Sequence, residues 1–124
     1  MMDFEKTSFL KLRPVSLDSF DKKVTPLLIE GESIVGVFKE IRDGVVFTDK
    51  RIISINVQGA IGKKRDYSTL PYRQIQAFSV EAAWVIDIDS ELELRVSEIG
   101  NIKFEFSTQT DVAAISRAIA AYLL

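Results

Sequence analysis

The chain has 124 residues, a formal net charge of −2 and a pI near 5.2, with 47% of its residues hydrophobic and 27% charged. That is the composition of a single globular domain able to bury a core without cross-links; it excludes a disordered chain and a general binder of polyanions, so no nucleic-acid partner is expected. Cysteine and histidine are both absent, which excludes disulfides, thiolate chemistry, the usual zinc ligands and the usual general base.

The opening "MMDFEKTSFLKLRPV" scatters apolar residues among charges. It lacks the basic start and unbroken apolar run of an export signal. No apolar run reaches the length of a membrane span, and the cytoplasm is the expected compartment. Residues 1–16 are expected to form an N-terminal arm. Phe4, Phe9, Leu10 and Leu12 would dock that arm on the fold or on a neighbour, or leave it frayed. Residues 17–124 are expected to form the domain proper.

The spacing of Leu17, Phe20, Val24, Leu27 and Leu28 predicts a helix from about Leu17 to Ile29. Ser16 is its candidate N-cap, Asp18 suits its dipole, Pro26 kinks or shortens it, and Gly31 ends it. From Ser33 the texture becomes that of strands. "SIVGVFKEI" is apolar on both faces, and "RDG" at 42–44 is a turn signal with Asp-Gly as the hairpin pair. "VVFTDK" and "RIISINV" follow, then a break at "QGAIG". A polar strand "KKRDYSTL" leads to a second break at Pro71-Tyr72, and "QIQAFSVEAA" resumes. "DSELELRV" and "NIKFEFS" alternate strictly, with Leu92, Leu94 and Val96 facing one way and Glu91, Glu93 and Arg95 the other, joined by a hairpin at "EIGN". The tail reads as a helix with Val112, Ile115, Ile119, Tyr122 and Leu123 in one stripe, Thr110 as N-cap and Asp111 in the first turn.

The count is seven antiparallel strands and a C-terminal helix. A single flat sheet of that size cannot bury its inner face, so two packed sheets or a partly open barrel are expected, with the helix closing the open end.

The string Phe47-Thr48, Lys50-Arg51, Gln58-Gly59, Gly62-Lys63-Lys64, Pro71-Tyr72-Arg73 and Asp89-x-Glu91-Leu92 resembles the bacterial pleckstrin-homology-like family, a domain family without an assigned function. The resemblance spans about Leu17 to Leu124. It implies a mainly β fold, a pleckstrin-homology-like barrel of seven strands in two packed sheets. A C-terminal helix would cap it, and an N-terminal helix would precede it. It also implies an intracellular domain that assembles into ring-like homo-oligomers, and it carries over no ligand. Trp84 stands where small residues are usual and Arg95 where an aromatic one is. The loop "IRDGVV", with Arg42 as its one cation, offers too little charge for a polyphosphate head group.

Three surfaces are candidate contacts. Lys63, Lys64, Arg65 and Arg73 suit a solvated hairpin, a protein contact, or a site for phosphate or anionic lipid. The "GAIGK" spacing is not a nucleotide phosphate loop, which needs four residues between its glycines and Ser or Thr after the lysine. Asp87, Asp89, Glu91 and Glu93 alternate and project from one strand face; they suit plain surface placement or the basic loop of a second copy, and no calcium-loop motif accompanies them. Trp84, with Val85 and Ile86, suits a hydrophobic contact or a lid on the core. No catalytic constellation and no cofactor motif is present. The expected function is a non-catalytic scaffold acting through homo-oligomer assembly and protein contacts. The alternative is peripheral binding of anionic lipid or phosphate through the 63–73 hairpin.

Overall fold

A computed structural model describes residues 7–16, 24–41, 43–59, 64–81, 89–107 and 110–124. Its described strands are β1 (Ser8–Pro14), β2 (Ile34–Glu40), β3 (Asp43–Thr48), β4 (Arg51–Gln58), β5 (Lys64–Pro71), β6 (Ile75–Glu81), β7 (Ser90–Val96) and β8 (Gly100–Phe106), followed by helix α1 (Val112–Leu123). The strands form one curled, half-barrel sheet in the order β5-β4-β3-β2-β1-β8-β7-β6.

This corrects the expected seven strands in two sheets. The seven expected strands are all present, as β2 to β8. The eighth is β1, which stitches the two groups together. Its first half pairs in parallel with β8, through Ser8↔Lys103 and Phe9↔Phe104. Its last residues pair antiparallel with β2, through Arg13↔Lys39 and Pro14↔Phe38. The handover occurs at a register shift between Phe9 and Leu12, where Lys11 adopts φ 56°. An extra residue in a strand bends it and re-aims its side chains. Phe9 and Leu12 therefore both reach the core, at 3% and 0% exposure, although they are three residues apart.

The inner face of the sheet holds the main core. Five phenylalanine rings run through it: Phe9 stacks on Phe104 at 4.9 Å, Phe104 meets Phe47 edge-on at 5.3 Å, and Phe38 touches both Phe47 and Phe106. Leu92, Leu94 and Val96 of β7 and Ile102 of β8 join them, as strict alternation predicts. Val112, Ile115 and Ile119 close the open end from α1, which packs on β2, β7 and the 3₁₀ turn at Tyr72–Gln74. The helix is capped by Asp111, whose carboxylate accepts from Ala114 N at 3.1 Å; Thr110, the expected cap, instead donates to Ser107 O.

The outer face of β2–β4 is also apolar. Val37, Val46, Ile53 and Ile55 are covered there by Val24, with Val15, Leu28 and Tyr67 alongside. The expected helix Leu17–Ile29 supplies part of this cover. Residues 17–23 lie outside the described residues; Thr25–Leu27 form a single 3₁₀ turn with Pro26 in it, and the chain is extended at Leu28. Proline removes the N–H that a continuing α-helix would use. The β2–β3 link is also shifted from its expected place. Glu40 pairs with Asp43, so the two-residue connection is 41–42, and Asp43 and Gly44 already stand in β3. Asp43 is held there by Val57 N, which donates to its carboxylate at 2.9 Å.

Candidate functional site

The tightest polar construction is the turn from Thr48 to Arg51. Thr48 is fully buried, and its hydroxyl accepts from Lys50 N and Arg51 N, both at 3.0 Å. A Ser or Thr side chain that binds the backbone ahead of it tightens a turn in this way. The same hydroxyl donates to Glu32 Oε2 at 2.6 Å. Arg51 completes the group: Nε donates to Glu32 Oε2 at 2.9 Å and Nη2 to Glu32 Oε1 at 3.0 Å. Nη1 donates to Thr69 and Nη2 also to Leu27 O. Burial of the Glu32 side chain pushes its carboxyl up, but the bonds from Arg51, Thr48 and the Ile29 amide outweigh burial and hold it below the usual carboxylate value.

Below this turn lies Tyr72, fully buried, whose phenol donates to Thr48 O. Burial, with Asp49 and Glu32 nearby, raises its ionisation well above the ordinary tyrosine value. Tyr72 N donates to Lys50 O at 3.0 Å, and this bond clamps the Thr48–Arg51 turn to the Tyr72–Gln74 turn.

The structure divides the expected basic group. Lys63 lies outside the described residues. Lys64 and Arg65 begin β5, opposite Gln58 and Val57, and point to opposite faces. Arg73 follows the far end of β5, where Pro71 is paired with Arg51. Seven steps of strand, about 23 Å, separate the two ends. Arg73 therefore stands beside Lys50 and Arg51 instead.

Of the four acids expected on one strand face, Glu91 and Glu93 lie in β7, and the acidic row there extends across neighbouring strands. Asp87 and Trp84 lie outside the described residues. Asp89 is exposed, and Glu91 and Glu93 project from the outer face of β7, away from buried Leu92 and Leu94. Glu91 lies directly between Glu81 of β6 and Glu105 of β8. Three like charges thus stand in one row across three strands, where neighbouring like charges repel. Lys103 relieves the row in part, with Nζ at 3.7 Å from Glu91 Oε1. Glu93 and Arg95 border a hollow of about 190 Å³ on the same face. Among the described residues no cluster of acids is arranged to hold a metal ion.

Nothing in the sequence pointed to Glu32. Thr48 stood only in the family string, and Lys50 stood there and among the six basic side chains between Phe47 and Ile75; the available physical signal for Thr48 was a threonine followed by aspartate between two β-rich runs.

Comparison with known proteins places this arrangement. The family model described as "Bacterial PH domain" matches residues 3–123. A Bacillus subtilis (strain 168) relative, uncharacterized protein YjqA, is 37% identical over 109 residues, covering 86% of this chain and 87% of the relative. Uncharacterized protein YozO of the same organism is 32% identical, covering 88% and 94%. Among solved structures, a DUF1696 family protein with a pleckstrin-homology domain from Shewanella loihica PV-4 superposes with a TM-score of 0.73 at 36% identity, over 93% of this chain and 99% of that one. A pleckstrin homology domain from Shewanella amazonensis SB2B gives 0.60 at 39% identity, over 89% and 90%. Among the described residues, no helix is long and apolar enough to cross a membrane.

Proposed function

This chain belongs to the bacterial PH domain family, and from that premise we propose that it is a non-catalytic interaction domain that assembles with copies of itself through its two sheet edges. The observation that supports this reading is the charge on those edges. Among the described strands, β5 and β6 are the two edges of the sheet. Lys64 and Arg65 stand at the start of β5, while Glu81 ends β6 and is paired with Glu91 of β7. A basic edge on one copy and an acidic edge on the next make a head-to-tail contact. Such contacts close into rings when the rotation between copies allows it. Charge complementarity of this kind fixes register and partner choice more than affinity. The alternative, peripheral binding of anionic lipid or phosphate by the 63–73 hairpin, loses Arg73, which stands at the far end of β5.

Native mass by light scattering after size exclusion, at low and high salt, tests the reading. A defined multiple of 14.0 kDa that falls as salt rises is expected. A monomer at low salt would overturn it.

A further inference from the structure

We propose that the cavity between the Thr48–Arg51 turn, the Tyr72–Gln74 turn and the end of α1 binds an organic phosphate monoester, with Lys50 and Arg73 as the cations that hold the phosphate. The cavity measures about 300 Å³, and Ile29, Lys50, Arg51, Pro71, Arg73 and Tyr122 are among the residues that line it. That lies at the small end of ligand pockets, about 300–1,000 Å³.

Its charge is set by which cations are already engaged. Arg51 lines the cavity, but Nε and Nη2 bind Glu32, Nη1 binds Thr69, and Nη2 also binds Leu27 O. The buried carboxylate of Glu32 cancels its charge one for one. Asp49, next to Lys50 in sequence, turns toward Ser33 and accepts from Ser33 N at 3.0 Å. Lys50 and Arg73 form no ion pair with any described carboxylate. They are placed together by backbone: Tyr72 N on Lys50 O at 3.0 Å, and Arg51 paired with Pro71 in the β4–β5 ladder. Two cations thus stand at one cavity mouth with no ion pair of their own among the described residues, and the Glu32 carboxylate that also lines the cavity is bound by Arg51.

The charge and the walls select the ligand class. A phosphate monoester carries about −1.5 to −2 at neutral pH, which matches two cations; a single carboxylate leaves one unmatched. The guanidinium fork of Arg73 suits phosphate oxygens, and Lys50 acts as a point charge. Ile29, Pro71 and Tyr122 supply an apolar side for the organic group. The Tyr122 ring is seated edge-on to buried Tyr72, with centroids 6.1 Å apart. This site is separate from the basic hairpin, which begins at the opposite end of β5.

The test is an amide-resolved NMR titration of the full chain with phenyl phosphate, and with benzoate as the single-charge control. Saturable shifts at Lys50, Arg51, Arg73 and Tyr122 are expected, with benzoate weaker. The Lys50→Gln/Arg73→Gln variant should bind about tenfold more weakly or worse, the loss of charge-assisted contacts. A Lys64→Gln/Arg65→Gln variant should bind as the parent does. Shifts that fail to saturate, centre elsewhere, or fall equally in both variants would overturn the proposal. If the first variant does not fold, the map on the parent chain decides. Co-sedimentation with phosphatidylcholine vesicles containing phosphatidic acid identifies the source. Pelleting that depends on Lys50 and Arg73 supports a lipid-borne monoester, and phenyl phosphate binding without pelleting supports a soluble one. Binding of neither overturns the site.

Discussion

Arg51 grips Glu32 by both carboxylate oxygens, Nε to Oε2 at 2.9 Å and Nη2 to Oε1 at 3.0 Å. The Glu32 side chain is fully buried, and Arg51 keeps a fifth of its side chain in solvent, 19%. Removing one partner of such a pair leaves the other desolvated, which costs far more than the pair contributes against water. Glu32→Gln should destabilise the chain by about 2 kcal/mol, read as a fall in the urea midpoint at unchanged slope. The folded carboxyl titrates below its ordinary value of 4.5. Its contribution is therefore complete above that pH and is lost as pH falls through the lowered folded value. The urea midpoint of the parent should drop on acidification through that window, and the Gln variant should drop less.

Gly36 is in β2 at a register shift, and a Cβ there would stand 2.9 Å from Phe38 Cε2. Phe38 is wedged against Phe47 and Phe106 and cannot swing away freely. Gly36→Ala should cost about 1–3 kcal/mol, the range of core overpacking. An unchanged melting temperature would show that the ring has room to move.

Tyr72→Phe removes the phenol from Thr48 O and keeps the ring. A loss of about 1–2 kcal/mol is expected. Because burial raises the phenol's ionisation in the folded chain, its stabilisation is complete below the ordinary value of 10.0 and is lost as pH rises beyond it. Absorbance titration should show one phenol that ionises only with unfolding, and the Phe variant should lack that step.

Reversing Glu91 and Glu93 to lysine separates assembly from folding. Glu91 faces Glu81 and Glu105 across the strands, so a lysine there relieves that repulsion, but the reversal also loses the Lys103–Glu91 pair and sets a lysine at 93 directly opposite Lys103. These surface effects oppose one another, and thermal stability of the subunit should stay within about 0.5 kcal/mol of the parent. Native mass at low salt should fall. Retention of the parent mass would remove the acidic face from the contact.

Phe9→Ala measures how integral the N-terminal segment is. Phe9 is 3% exposed and stacks on Phe104, so truncation should cost about 3–5 kcal/mol. A frayed arm would register almost nothing in a chemical melt.

Strands β2 to β8 were legible because their side chains alternate with period two or because both faces are apolar. β1 was hidden by its own bulge. "SFLKLRP" buries Phe9 and Leu12, a spacing of three, and its charges and Pro14 mimic a loop. The helix expected from Leu17 rested on the spacing of Leu17, Phe20, Val24, Leu27 and Leu28, of which Leu17 and Phe20 lie outside the described residues. Val24 and Leu28 serve as cover for the outer sheet face, on either side of a single 3₁₀ turn that contains Pro26. Arg73 was grouped with Lys64 and Arg65 because they are near in sequence, whereas a strand carries them apart. Lys50 is distant from Arg73 in sequence and is brought beside it by the Arg51–Pro71 pairing and the Tyr72 N–Lys50 O hydrogen bond, which no local pattern announces.

The parallel pairing of β1 with β8 has a consequence for the order of events at the ribosome. Ser107 Oγ donates to Leu12 O across 95 positions of chain, so the first strand emerges long before its partner exists. Contacts of such long range slow folding. During synthesis Phe9 and Leu12 have no β8 to lie against, and the half-barrel can complete only when Phe104 and Phe106 have left the exit tunnel. A nascent chain halted before residue 100 should therefore be cut by trypsin at Lys11, within β1, and the completed domain should resist cleavage there.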